Sequence, residues 1–107
     1  MAITFEDFKK LDIRIGKVLS AEKVEGTDKL IKLQIDIGTE RRQIVVGMAE
    51  FFGPDHLIGK EIPVLVNLEP RTFKGVQSHG MILAADVGGK PVLLFPEKKV
   101  PPGSIVR

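Results

Sequence analysis

Segment 31–37 carries the pattern that most restricts the possible folds of this chain. Branched apolar side chains occupy every second position and polar side chains occupy the positions between them: Ile31, Leu33, Ile35 and Ile37 alternate with Lys32, Gln34 and Asp36. A period of two residues is the period of a β-strand, in which successive side chains point to opposite faces. The segment therefore predicts a half-buried antiparallel strand with one face toward a core and the other toward water.

Four further long strands are predicted from apolar segments on either side of this one. They span residues 12–24, 41–47, 62–68 and, from residue 79 or 80, up to residue 87. In the first of them the apolar positions change from odd numbers, at Ile13 and Ile15, to an even number, at Val18. Gly16 lies at that change, so we expect a β-bulge or a sharply coiled strand there.

The two ends of the chain predict smaller elements. Thr4 and Asp7 form a capping-box pattern at the start of a short helix, whose Phe5 and Phe8 would share one face. That face would cover either the end of its own core or a second subunit. Prolines make residues 96–107 unsuitable for a central strand, although 104–106 could form an edge strand.

These elements predict an all-β fold. Five main strands, with an irregular or short helical crossing over 48–57 between the third and the fourth, are typical of the five-stranded Greek-key barrel called the OB fold. A short N-terminal helix and a proline-rich C-terminal extension would be added to it. The Gly88-Gly89 pair predicts a hairpin turn into a short strand over 91–95. Another small β-barrel is the alternative, and 107 residues suit one domain, 1–107.

Composition excludes several classes of site and of location. The chain has no cysteine, so disulfides, thiolate zinc sites and cysteine nucleophiles are excluded. Its net charge of only +2 means that selectivity for a polyanion must come from where the cations lie. The early acidic residues Glu6 and Asp7 argue against a signal peptide, and no apolar segment approaches the ~20 residues of a membrane span. We therefore expect a soluble, cytoplasmic protein with no membrane partner.

Segment 67–83 is predicted to form a shaped loop between two buried strands. Pro70 prevents the preceding strand from continuing, and the segment also contains two glycines and two cations. Arg71 and Lys74 flank Phe73, an order suited to a phosphate backbone with one unstacked base, although Phe73 could instead plug the barrel end. A binding loop on a rigid scaffold is a common functional arrangement. Cations of the first three strands are expected to face solvent: Lys17, Lys32, Arg41 and Arg42.

Enzymatic patterns are missing from the sequence. There is no glycine-rich phosphate loop and no GxSxG elbow, and His56 and His79 lack the spacing of a metal-binding pair. Ser78 and His79 are adjacent, so in a strand their side chains would point to opposite faces rather than form a nucleophile and its base. We therefore predict a protein without catalysis, metal or cofactor.

Several separated motifs resemble those of the tRNA-binding domain family. They are Leu-Asp-Ile-Arg-Ile-Gly-Lys-Val at 11–18, Thr-Asp-Lys-Leu at 27–30, Asn-Leu-Glu-Pro at 67–70, Lys-Gly-Val at 74–76 and Ser-His-Gly-Met-Ile-Leu at 78–83. The resemblance covers nearly the whole chain and is strongest to the C-terminal appendix, or separate beta subunit, of methionyl-tRNA synthetases. Two positions depart from the family pattern: Glu25-Gly26 replaces a His-Pro pair, and His79 replaces Glu or Gln.

The resemblance implies an OB-fold homodimer that binds tRNA by shape and increases the tRNA affinity of methionyl-tRNA synthetase. The implied RNA contacts are Arg14, Lys29, Asn67, Lys74, Ser78 and Met81, to which the loop itself adds Arg71. From the residues alone, Asn67 could instead fix the loop, Ser78 could cap a turn and Met81 could belong to the core. The implied dimer contacts lie in the N-terminal segment and the tail: Phe5, Phe8, Pro101, Pro102 and Ile105. A peptide-binding secretion chaperone and a purely structural dimerisation domain are the alternative functions.

Overall fold

A computed structural model describes all residues from Met1 to Arg107. Two short helices, α1 (Phe5–Lys9) and α2 (Pro54–Leu57), accompany ten strands. The strands of the barrel and of the C-terminal edge are β1 (Ile13–Lys23), β2 (Ile31–Asp36), β3 (Arg41–Val46), β4 (Glu61–Leu65), β7 (Met81–Ile82) and β10 (Ile105–Val106). The remaining strands form two hairpins: β5 (Arg71–Phe73) with β6 (Val76–Ser78), and β8 (Ala84–Val87) with β9 (Lys90–Leu93).

The predicted five-stranded barrel is confirmed. The antiparallel order is β3-β2-β1-β4-β7, and the sheet nearly closes where the His79 amide donates to the Gln43 carbonyl at 2.8 Å. The alternating segment forms β2 as expected, with Ile31, Leu33 and Ile35 fully buried. α2 lies between the third and fourth strands, as the OB fold requires.

Strand β1 buries both of its faces in its first half. Cross-strand partners share a face, and Gly16 pairs with Ile62, which is fully buried in the central core. Ile13 and Ile15 lie on the opposite face and are each 8% exposed. The apolar positions change from odd to even numbers because both faces of β1 are buried, and not because the strand rotates its buried face.

The predicted bulge at Gly16 is wrong in position. The register of β1 against β2 shifts between Val18 and Ser20, so the irregularity lies at Leu19. Gly16 has a different reason to be glycine, because a Cβ there would lie 2.4 Å from Cγ2 of Ile35 and 3.1 Å from Cγ2 of Val64. Close packing of two branched side chains, not backbone conformation, excludes a larger residue.

Gly16→Ala is expected to destabilise the fold by about 1–3 kcal/mol, the usual cost of overpacking a core. Ile35 and Val64 are both fully buried, so the added methyl group would displace core side chains. Gly47→Ala is the matched control, because nothing lies within 4 Å of a Cβ at Gly47. Urea unfolding of the two variants would measure the difference, and equal midpoints would show that the core yields to the added methyl group.

The N-terminal capping box is confirmed. The Thr4 hydroxyl accepts a hydrogen bond from the Asp7 amide, and the Asp7 carboxylate accepts one from the Thr4 amide. A hydrogen bond donated by Lys10 lowers the pKa of Asp7 most, and hydrogen bonds with the backbone and the side chain of Thr4 lower it further.

The tail also behaves as predicted: Ile105–Val106 pairs with Ile13 and Arg14 as an edge strand. Val100 N donates to Glu61, so the tail also crosses the side of β1 and β4 away from the core.

The predicted loop 67–83 contains regular structure that the sequence did not indicate. Strands β5 and β6 form a hairpin within it, and the predicted fifth strand is divided into β7 and β8. β8 leaves the barrel and pairs only with β9, as a separate two-stranded sheet. The segment is thus a projecting hairpin whose returning strand β6 also contacts β3 of the barrel.

Candidate nucleic-acid interface

Lys74 occupies the tip of the projecting hairpin in an unusual backbone conformation. Its φ is 52°, the only positive value outside glycine, and Gly75 follows with φ 79°. Two successive residues with positive φ make the tight turn that joins twisted strands, a turn in which asparagine or glycine is usual at the first position. Lysine there costs about 1–2 kcal/mol. The turn holds an exposed ammonium at the end of the hairpin.

Arg71 lies beside an apolar cavity at the base of the hairpin. Its guanidinium carbon is 4.7 Å from the centre of the Phe73 ring, which is half-buried. The cavity has a volume of about 270 Å³ and is lined mainly by apolar side chains: Leu30, Val45, Val46, Met48, Phe73, Met81 and Ile82, with Arg71. Lys29 directly precedes Leu30, and Met81 is 38% exposed. The structure therefore brings Arg71 and Met81 to one cavity, and the loop of Lys29 to its edge.

Ser78 and Asn67 use their polar atoms within the protein. Ser78 is 3% exposed, and its hydroxyl accepts a hydrogen bond from Val45 N at 2.9 Å and donates one to Gly80 O at 3.1 Å. The Asn67 amide accepts from Asp12 N at 2.8 Å and donates to the Lys10 carbonyl at 2.7 Å. Both residues attach the hairpin segment to other parts of the fold, Ser78 to β3 and Asn67 to the residues between α1 and β1.

Arg14 lies apart from the cavity, next to the segment that Asn67 anchors. Its Nε donates to Asp12 Oδ1 at 2.9 Å and its Nη2 donates to Asp12 Oδ2 at 3.2 Å. The pKa of Arg14 is raised, most of all by these hydrogen bonds to Asp12. The negative charge of Asp12 raises it further, and the charge of Glu40 contributes least. The guanidinium, charged like any arginine, is held in place by a bidentate pair.

Arg42 does not face solvent, contrary to the prediction. Only 27% of its side chain is exposed, and it donates hydrogen bonds to two backbone carbonyls. A signal was present in the sequence, because Arg42 is in phase with Ile44 and Val46, which are both buried. A charged side chain at an inward-facing position near a strand end indicates a structural role for that residue.

The residues expected at a dimer contact divide into two groups. Phe5, Phe8 and Ile105 line one groove of about 370 Å³ together with Leu11 and Val106, and Phe5 is 70% exposed. We name these five residues the α1–tail face. Pro101 and Pro102 are not in its lining; they belong to a turn in which the Pro101 carbonyl accepts from Ser104, and Pro102 O would lie 2.6 Å from a Cβ on Gly38.

The side chains that typically bind metals do not converge in this chain. No group of three or more His, Cys, Asp or Glu residues is placed to hold a metal ion. Neither helix is long and apolar enough to cross a membrane.

The barrel and its projecting hairpin define an OB-like domain with a cationic loop. A family model described as "Putative tRNA binding domain" matches residues 13–105, and the chain belongs to this tRNA-binding domain family. It is 62% identical over 104 residues to a methionine–tRNA ligase of Archaeoglobus fulgidus, covering 97% of this chain and 16% of that protein.

Solved structures show the same relationship. A MetRS-related protein from Pyrococcus horikoshii superposes with a TM-score of 0.96 at 40% identity, covering 100% of this chain and 99% of that one. The chaperone CsaA from Bacillus anthracis superposes with a TM-score of 0.90 at 34% identity and full coverage of both chains. The chain thus spans about a sixth of the curated synthetase relative but the whole length of these two smaller proteins.

Proposed function

We propose that this domain binds folded tRNA through the hairpin β5–β6 and the cavity beside it. Arg71, Lys74 and Lys29 contact phosphates, and Met81 and Phe73 offer an apolar surface to one unstacked base. Arg14, Asn67 and Ser78 act chiefly by holding the hairpin segment and its surroundings in place. The observation that carries the proposal is the exposed Lys74 in the tight turn of the same hairpin as Arg71, which lies beside an apolar cavity.

The position of loops on the barrel supports the same site. OB folds bind oligonucleotides on the second and third barrel strands, on the loop between the first and second, and on the loop between the fourth and fifth. In this chain the fourth and fifth barrel strands are β4 and β7. Lys29 lies on the loop between β1 and β2, and the hairpin with Arg71 and Lys74 lies between β4 and β7. The chain has six phenylalanines and two histidines but no tryptophan or tyrosine, so it lacks the many stacking platforms of single-strand binders. Recognition of backbone and shape suits this composition better.

We further propose that the domain carries no catalysis and increases the tRNA affinity of a methionyl-tRNA synthetase as a homodimer. The similarity to a methionine–tRNA ligase and to a MetRS-related protein supports the synthetase partner. The α1–tail face supports the homodimer, because contiguous exposed apolar surface typically marks an interaction site.

A salt series tests the proposal. In filter-binding measurements, the domain should bind total tRNA more tightly than it binds single-stranded or duplex RNA of similar length. Three phosphate contacts predict a log–log slope of affinity against salt of about −2 to −3 for each copy of the chain. Equal affinity for all three RNAs, or an affinity that does not change with salt, would contradict recognition of tRNA through phosphates.

Binding of an extended apolar peptide is the second candidate function. The similarity to the chaperone CsaA and the apolar lining of the cavity favour it. Apolar capture depends little on salt, whereas phosphate binding weakens steeply. The same salt series, with a fluorescent apolar peptide in place of RNA, therefore separates the two functions.

A further inference from the structure

Arg42 occupies a position that the barrel pattern reserves for apolar side chains. It pairs with Ile35 across β2 and β3, and Ile35 is fully buried. Its neighbours in phase along β3, Ile44 and Val46, belong to the central core. Arg42 is one strand position from the end of the barrel, where its long side chain reaches the opening rather than the core.

The guanidinium of Arg42 holds both ends of the hairpin segment. Its Nη1 donates to the carbonyl of Val66 at 2.7 Å and to the carbonyl of His79 at 3.2 Å. Val66 directly follows β4, and His79 lies between β6 and β7. The two carbonyls therefore mark the points where the chain leaves the barrel for the hairpin and where it returns.

No other side-chain hydrogen bond joins these two points. Gln43 binds the Gln77 carbonyl and Ser78 binds Val45, so both act on the returning end alone. Asn67 acts on the departing end and ties it to the segment between α1 and β1. Arg42 is thus the one side chain that hydrogen-bonds both ends, adding to the short backbone ladder between β4 and β7.

The charge of Arg42 is paired within the protein. Its Nε donates to the carboxylate of Glu40, two residues earlier on the chain. Three of the five guanidinium N–H groups are thus engaged with a carboxylate and two carbonyls of the protein. Its contribution to binding would come through geometry, because hydrogen bonds from charged donors are stronger and more directional than neutral ones.

We infer that Arg42 is a positioning residue for tRNA binding: it fixes the angle at which the hairpin leaves the barrel, and so places Arg71 and Lys74 against the RNA. This inference rests on the proposed function. Positioning of the two cations matters because they lie on a projecting hairpin, where a small rotation at the base moves the tip by a larger distance. Arg42 acts on the hairpin and does not touch the ligand.

Two substitutions of Arg42 test the inference. Arg42→Gln removes the charge, and Arg42→Lys keeps it while replacing the planar fork by a single nitrogen. Both variants are expected to bind tRNA about tenfold more weakly, because Arg71 and Lys74 lose their placement whether or not a positive charge remains at position 42. Arg71→Gln, which removes one proposed phosphate contact, should reduce the magnitude of the slope of affinity against salt by about 0.7–0.9. Arg41→Gln is the matched control for loss of an arginine from β3 and should leave affinity nearly unchanged.

Amide hydrogen exchange provides a second measurement that a general loss of stability would not reproduce. Faster exchange confined to Val76–Ser78 and His79, with protection of β2 retained, is expected for the Arg42 variants. Unchanged affinity in Arg42→Gln would overturn the inference, as would nearly full affinity in Arg42→Lys, which would show that only the charge at position 42 is needed, as for a phosphate contact. Uniformly faster exchange across the barrel would also overturn it. If the unaltered protein shows no salt-dependent tRNA binding, the proposed function fails instead.

Discussion

Replacing Arg71 by Gln and Lys74 by Asn in one chain is expected to weaken tRNA binding about tenfold at about 0.1 M salt. The slope of affinity against salt should fall in magnitude by about 1.4–1.8, since two phosphate contacts are lost. The free energy of unfolding should not fall, because asparagine accepts the positive φ of position 74 more readily than lysine does. Filter binding across a salt series, with urea unfolding of the same samples, measures both effects.

A control for that variant needs the same change in net charge at a distance from the hairpin. Lys98→Gln with Lys99→Gln also removes two positive charges, from the exposed tail. This control should bind tRNA nearly as the unaltered protein does. Equal weakening in the two double variants would mean that overall charge, and not the hairpin, attracts the RNA.

Ile105→Glu is expected to weaken self-association at least a hundredfold, about 2.8 kcal/mol. Ile105 lies in the groove of the α1–tail face beside Phe5 and Phe8 and is 55% exposed in a single chain. In a twofold dimer each copy contributes the substitution, so two carboxylates would enter one apolar interface. Sedimentation should give the 11.8 kDa mass of one chain for the variant and twice that mass for the unaltered protein.

Val87→Glu serves as the control for the dimer prediction. Val87 is 61% exposed on β8 and is not part of the α1–tail face. Glutamate there adds the same charge to an exposed apolar position and should leave the dimer intact. A single-chain mass for the unaltered protein, or dissociation by both substitutions, would refute the assignment of the dimer contact to the α1–tail face.

Local periodicity predicted much of the fold because β2 and β4 alternate clearly between buried and half-buried positions. Ile31, Leu33 and Ile35 are buried at alternate positions, as the sequence indicated, and the capping box at Thr4 begins α1. Gly88 and Gly89 join β8 to β9 at the predicted turn. In each case the signal lies within a few residues of the structure that it specifies.

The features that the sequence did not reveal depend on contacts between distant residues. Ser78 bonds to Val45, 33 positions away, and Arg42 bonds to His79, 37 positions away. No local pattern indicates such pairings, so the internal partners of Ser78 and Arg42 became clear only from the structure. The hairpin within the loop was missed for a local reason, since Lys74 is an uncommon residue for the first position of its turn.

Burial on both sides of β1 determines how far the domain can be shortened. Ile13 and Ile15 face away from the central core, and the tail binds Ile15 through Gly103 N and Ser104 O. A fragment that ends before residue 100 would keep every barrel strand but leave the N–H and C=O of Ile15 without their partners and this edge of β1 unpaired. Such a fragment would be prone to aggregation, and the smallest stable unit of this family member therefore includes its last residues.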